Sequence, residues 1–140
     1  MLQPKIIENG EYNYLAHSFW LLVDYAKKEM ACKVHYNEKL VDNGLFISRP
    51  LTIILGAHKR LDDTVITLLH EMGHVEDYWE NRRAPGSSSI PSIRYLMEEE
   101  AWKNAEVLLR DFQLEEILGE RFNFMKERSL LSYRMTLKLF

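Results

Sequence analysis

Apolar residues recur every three or four positions along much of this 140-residue chain, which is the spacing of an amphipathic helix. The first such stretch places Leu15, Phe19 and Leu22 on one side. The spacing predicts helices over Tyr12–Met30, Leu61–Arg82 and Arg94–Phe112, and one or two more over Gln113–Phe140 with an interruption near Gly119. The aromatic side chains of Tyr14, Phe19, Trp20 and Trp79 have helical spacing and are expected in the core.

Short β-prone stretches lie between the first two predicted helices, at Lys33–Tyr36, Leu45–Ser48 and Leu51–Leu55. The turn-like Asp42-Asn43-Gly44 separates the first two of them. A loop rich in proline, glycine and serine runs from Ala84 to Pro91 and separates two helices. The chain is short for two domains, so we expect one α+β domain over residues 1–140.

Composition and charge exclude several classes of protein. A hydrophobic share of 46% and a charged share of 28% are typical of a folded globular chain. The net charge of −3 argues against nucleic-acid binding driven by overall charge. The apolar run Phe19–Val23 is too short to span a membrane, and Met1–Gly10 lacks the features of a secretory signal. A single cysteine, Cys32, cannot form an internal disulfide, so we expect a cytoplasmic protein.

The string His70-Glu71-Met72-Gly73-His74 carries the most specific chemistry in the sequence. Histidines four residues apart on a helix lie about 40° from each other around its axis, so both can reach one metal ion. The glutamate beside the first histidine can activate water at that metal. The string therefore predicts a zinc site with His70 and His74 as ligands and Glu71 as general base.

The surroundings of the two histidines favour this interpretation over two surface histidines on an amphipathic helix. An apolar stripe that includes Val65, Leu68 and Met72 lies on the opposite side of the helix. Gly73 weakens a helix interior by roughly 1 kcal/mol relative to alanine, which indicates that another backbone or a substrate comes close there.

A catalytic zinc ion usually takes a third protein ligand, and three consecutive glutamates, Glu98, Glu99 and Glu100, are candidates. Helical phase places Glu98 on the same face as Ala101 and Trp102, whereas Glu99 lies at the edge of that face and Glu100 points away. A buried carboxylate needs a partner or a metal, which favours Glu98 as the ligand. A helix that begins later than Arg94 would give this role to Glu99 instead.

These motifs resemble the gluzincin branch of the zincin metallopeptidases, and within it the compact ImmA/IrrE type of bacterial and phage metallopeptidase. The resemblance covers about Leu51 to Phe112 and rests on Thr67–His74, on Glu98-x-x-Ala101 and on the segment from Ala105 to Leu109. Trp102 stands where that family commonly has asparagine. The resemblance implies a minimal zincin-like fold with a short mixed sheet, whose edge strand Leu51–Leu55 borders the cleft and pairs with an extended substrate.

The function that follows is hydrolysis of a peptide bond in a cytoplasmic protein, such as a regulator or repressor. Zinc would polarise the carbonyl, and Glu71 would deprotonate the attacking water and deliver the proton to the leaving amine. His58 and Tyr95 are candidates for stabilising the oxyanion. The alternative is a non-catalytic, zinc-stabilised module that binds a partner protein, although a structural zinc site needs no base beside its ligands.

The last predicted segment is locally basic, with Lys126, Arg128, Arg134 and Lys138 among aromatic residues. A surface for a partner or a nucleic acid is one interpretation of this pattern. Acidic residues interleave with the basic ones, which favours a solvated helix face, so nucleic acid is not the expected partner.

Overall fold

Helices and a small sheet make up the described part of the chain, which comprises residues 9–41, 44–48, 50–58, 60–85 and 87–138 of a computed structural model. The elements in these ranges are α1 (Asn9–Glu29), β1 (Lys33–Val41), β2 (Gly44–Ser48), β3 (Leu51–Ala57), α2 (Leu61–Asn81), α3 (Pro91–Asp111) and α4 (Glu115–Lys138). This combination confirms the α+β class. Within the same ranges, no helix is both long enough and apolar enough to cross a membrane.

The three strands form a mixed sheet in the order β1-β3-β2. β1 runs parallel to β3, and β2 runs antiparallel to it. The prediction that Leu51–Leu55 is an edge strand is therefore wrong, because β3 lies in the middle of the described sheet. Its apolar character explains this position, since Ile53 and Leu55 are buried and a central strand has neighbours on both edges. The strand at the edge beside α2 is β2.

Several helix boundaries differ from those that the spacing predicts. α1 begins at Asn9 rather than Tyr12. α3 begins at Pro91 rather than Arg94, because proline is favoured at the first position of a helix, where its missing N–H costs no hydrogen bond. α4 is one continuous helix through Gly119, so the predicted interruption is wrong. Leu118 and Phe122 are buried on either side of this glycine, and their packing keeps the helix intact. The predicted turn residues Asp42 and Asn43 lie outside the described residues.

The core is built around α2, which packs against the sheet and against the other three helices. The apolar stripe predicted on this helix is confirmed for its buried residues Val65, Leu68, Met72 and Val75. Of the four aromatic residues predicted in the core, Phe19 is partly buried and packs against it. The other three depart from the prediction, since Tyr14, Trp20 and Trp79 are 38%, 67% and 44% exposed. The indole N–H of Trp79 donates a hydrogen bond to the carbonyl of Met30 at 2.8 Å, which accounts for its position at the edge of the core.

Helices α2 and α3 come into close backbone contact at Gly73. A Cβ atom at this position would lie 2.0 Å from the carbonyl oxygen of Ala101 on α3. The close backbone approach predicted from the glycine is therefore confirmed. The side-chain amide of Asn104 donates a hydrogen bond to the carbonyl of Gly73 at 3.1 Å, which fixes the two helices at this crossing. The crossing holds the middle of α3 against the middle of α2.

We expect Gly73→Ala to lower the free energy of unfolding by about 2 kcal/mol or more, because backbone atoms cannot yield to the added methyl group. Chemical denaturation of the two proteins measures this difference. Gly119→Ala is the matched control, since no atom lies within 4 Å of a Cβ there and alanine favours a helix by roughly 1 kcal/mol. A stabilising effect of both substitutions would contradict the close contact at Gly73.

Candidate metal centre

Two histidines of α2 and one glutamate of α3 converge on a single point. The Nε2 atom of His70 lies 3.1 Å from Oε1 of Glu98, and the Nε2 atom of His74 lies 2.6 Å from Oε2 of the same carboxylate. The ligand atoms of the three side chains all lie within 4.8 Å of one another. His74 and Glu98 are buried, and His70 is largely covered. The arrangement offers two imidazole nitrogens and one carboxylate to a metal ion.

The charges of the cluster depend on the contacts of its histidines with Glu71 and Glu98. Burial by itself lowers the pKa of His70, but hydrogen bonds and charge interactions with Glu71 and Glu98 outweigh burial and hold it well above its ordinary value. Burial raises the pKa of Glu98, and the two histidines outweigh that effect and hold it well below its ordinary value. A metal ion that binds here must therefore displace a proton from His70, so its binding competes with protons.

Glu71 lies beside the cluster and faces a cavity of about 210 Å³. Its Oε2 atom lies 3.4 Å from Nδ1 of His70, and its side chain is buried. The cavity is lined by Gly44, Thr67, His70, Glu71, Trp102, Met125 and Ser129. A carboxylate in this position can accept a proton from a molecule that enters the cavity next to the ligand atoms.

Trp102 covers one side of the histidine pair. Its ring stacks on the ring of His70, with centroids 4.3 Å apart and planes 14° from parallel. The indole N–H donates a hydrogen bond to Oγ of Ser129 on α4 at 3.2 Å. The indole therefore shields one face of the His70 imidazole and limits the orientations that this imidazole can take.

The helical register of α3 decides which of the three consecutive glutamates enters the cluster. α3 begins before Arg94, which is the condition for Glu98 to face α2. Glu98 meets both histidines, whereas the carboxylate of Glu99 accepts a hydrogen bond from the hydroxyl of Tyr95 at 3.4 Å. Glu99 and Glu100 are only partly buried. The structure therefore brings Glu98 to the histidines and leaves its two neighbours outside the cluster.

Neither residue suggested for stabilising an oxyanion lines the cavity of Glu71. His58 is buried between two neighbouring cavities. The hydroxyl of Tyr95 accepts a hydrogen bond from Arg134 at 3.1 Å as well as contacting Glu99. The geometry therefore directs both side chains to other contacts.

Helix α4 contributes residues to the site that the sequence did not indicate. Met125 and Ser129 line the cavity of Glu71, and Tyr133 lies one further turn along the same helix. Burial raises the pKa of Tyr133, and the negative charges of Glu98 and Glu71 add to this effect. The raised pKa keeps the phenol of Tyr133 in its neutral form. Met125, Ser129 and Tyr133 are spaced four residues apart, which places them on one side of a helix. Apolar packing explains this spacing equally well, so the sequence did not identify them as residues of the site.

The sequence matches no model of a known protein family and no curated protein, and the structure matches no solved structure. We therefore interpret the site from its own geometry.

We expect purified protein to bind about one zinc ion per chain, because the three ligand atoms converge at one point. Zinc binding should weaken by orders of magnitude when any one ligand is removed, since the two remaining ligands hold the ion poorly. The three variants are His70→Ala, His74→Ala and Glu98→Ala. Titration calorimetry measures the affinity, and circular dichroism checks that each variant is folded.

Glu99→Ala and Glu100→Ala are the matched controls for the loss of Glu98, because they remove the same carboxylate from adjacent positions of α3. Their zinc affinity should stay within a few-fold of the unaltered protein. A larger loss in Glu99→Ala than in Glu98→Ala would show that the register of α3 has been assigned incorrectly.

Proposed function

We propose that the protein is a zinc-dependent peptidase. The observation that carries this proposal is the meeting of His70, His74 and Glu98 beside a cavity that contains the carboxylate of Glu71. A ligand set and a base in adjoining positions are what hydrolysis at a metal requires. A purely structural zinc site usually has four protein ligands, whereas this cluster has three among the described residues.

The donor set fits zinc better than it fits magnesium or calcium. Two imidazole nitrogens and one carboxylate oxygen are typical zinc ligands, while the other two ions prefer sites made of oxygen atoms alone. The contacts of Glu98 with both histidines show that the three ligand atoms already lie close together. Zinc bound here would polarise a substrate carbonyl and acidify a nearby water molecule.

The residues of the chain supply the proton transfers. Glu71 faces the cavity and can take a proton from the attacking water, then pass it to the amine that leaves. The stacked ring of Trp102 holds the His70 imidazole in one orientation.

The zincin-like interpretation of the fold belongs to this proposal. It is supported by a helix that carries both histidines, a following helix that carries the glutamate, and a mixed sheet. The strand that could pair with an extended substrate is β2, because it is an edge strand and its first residue, Gly44, lines the cavity of Glu71. We propose a segment of a cytoplasmic regulatory protein as the substrate.

We expect Glu71→Gln to retain zinc and to lose peptide hydrolysis, because the amide keeps the shape of the side chain and removes the base. The assay incubates zinc-loaded protein with denatured cytoplasmic proteins and identifies new chain ends by mass spectrometry. Glu80→Gln is the matched control, since it makes the same change at an exposed position of α2 and should retain activity. Equal activity of Glu71→Gln and the unaltered protein would remove Glu71 from the mechanism.

A further inference from the structure

A second cavity, of about 610 Å³, adjoins the cavity of Glu71. Met125 and Ser129 on α4 line both cavities, so the two are neighbours along one face of that helix. Three arginines, Arg60, Arg121 and Arg128, line the second cavity, which we call the arginine pocket. A peptide held beside His70 and Glu71 could therefore extend a side chain into the pocket.

The arginines of the pocket differ in how far their charges are neutralised. Arg60 contacts Asp62, with Nε donating to Oδ1 at 2.9 Å. Arg121 donates two hydrogen bonds, at 2.9 and 3.2 Å, to the carboxylate of Asp63, which also lines the pocket. Arg128 forms no ion pair within the described ranges and is exposed. The pocket therefore keeps the positive charge of Arg128, and the paired arginines retain N–H groups for further hydrogen bonds.

The walls of the pocket suit a side chain that has an apolar stem and a negative end. Phe124 and Met125 line it, and the guanidinium of Arg121 lies 5.1 Å from the centre of the Phe124 ring. Arginine binds carboxylates through two parallel hydrogen bonds, which gives a preference for acidic groups over neutral amides of the same shape.

We propose that the arginine pocket is a substrate subsite that selects an acidic side chain, glutamate or aspartate, in the peptide held beside Glu71. This inference rests on the proposed peptidase function for its biological role. Binding of an acidic peptide to the pocket depends on the arginines alone and can be measured without zinc and without hydrolysis.

The test titrates the isotope-labelled protein with three probes and follows arginine Nε–H and backbone signals by NMR. The probes are a blocked hexapeptide with two central glutamates between alanines, the same peptide with glutamines, and inorganic phosphate. The glutamate peptide should shift signals of Arg121, Arg128 and Ser129, and the glutamine peptide should bind at least several-fold more weakly. No shift with the glutamate peptide, or equal binding of both peptides, would overturn the proposal. Binding of phosphate without binding of the glutamate peptide would also overturn it.

Arg128→Ala should weaken binding of the glutamate peptide roughly fivefold, as expected for one exposed charge interaction. Lys27→Ala is the matched control, because Lys27 is an exposed cation on α1 that forms no ion pair within the described ranges. The control should bind the peptide as the unaltered protein does. Equal weakening in both variants would show that only overall charge matters, and would overturn the proposal.

The hydrolysis assay separates this inference from the proposed function. Cleavage sites found by mass spectrometry should have an acidic residue at a fixed position relative to the broken bond, and Arg128→Glu should reduce that preference. Selective peptide binding without any cleavage would leave the subsite established and the peptidase function wrong. Cleavage with no acidic preference would establish the peptidase and overturn the subsite.

Discussion

The candidate site depends on the backbone contact between α2 and α3 at Gly73. Because Gly73 has no side chain, the carbonyl of Ala101 on α3 can lie close to it. Glu98 lies one turn before Ala101, and this approach lets its carboxylate reach both His70 and His74. Any larger residue would push α3 outward and separate the carboxylate from the imidazoles. A residue with no functional group therefore sets the distance between the ligand atoms.

The same close approach explains how the charged side chains of the cluster are paired. Buried ionisable groups are costly unless they are paired, and here each charged group has a partner of opposite sign or a partner that can carry a proton. The carboxylate of Glu98 contacts the Nε2 atoms of both histidines, and Glu71 contacts the Nδ1 atom of His70. Ion pairs and hydrogen bonds thus hold the ligand atoms together, and a divalent cation would replace them.

The sequence predicted the parts of the site that depend on a single helix, and it was less successful where separate elements meet. The spacing of His70 and His74 and the phase of Glu98 follow from helix geometry, which is the same wherever the helix lies. The order of the strands depends on tertiary packing, so β3 could be recognised as apolar but was placed at the wrong position in the sheet. The contribution of α4 also depends on packing, because Met125 and Ser129 have no motif of their own. The start of α3 could have been predicted at Pro91, because proline is favoured at the first position of a helix. The spacing of apolar residues does not contain this information.

The stacking of Trp102 on His70 gives the protein an internal optical probe of its own site. The chain has three tryptophans, and Trp102 is 4% exposed whereas Trp20 and Trp79 face solvent over 67% and 44% of their surface. Emission from the buried indole should therefore lie at shorter wavelength than emission from the other two. Because its ring stacks on the imidazole of His70, which is one of the three proposed zinc ligands, the fluorescence of Trp102 should change if the unlabelled protein binds zinc.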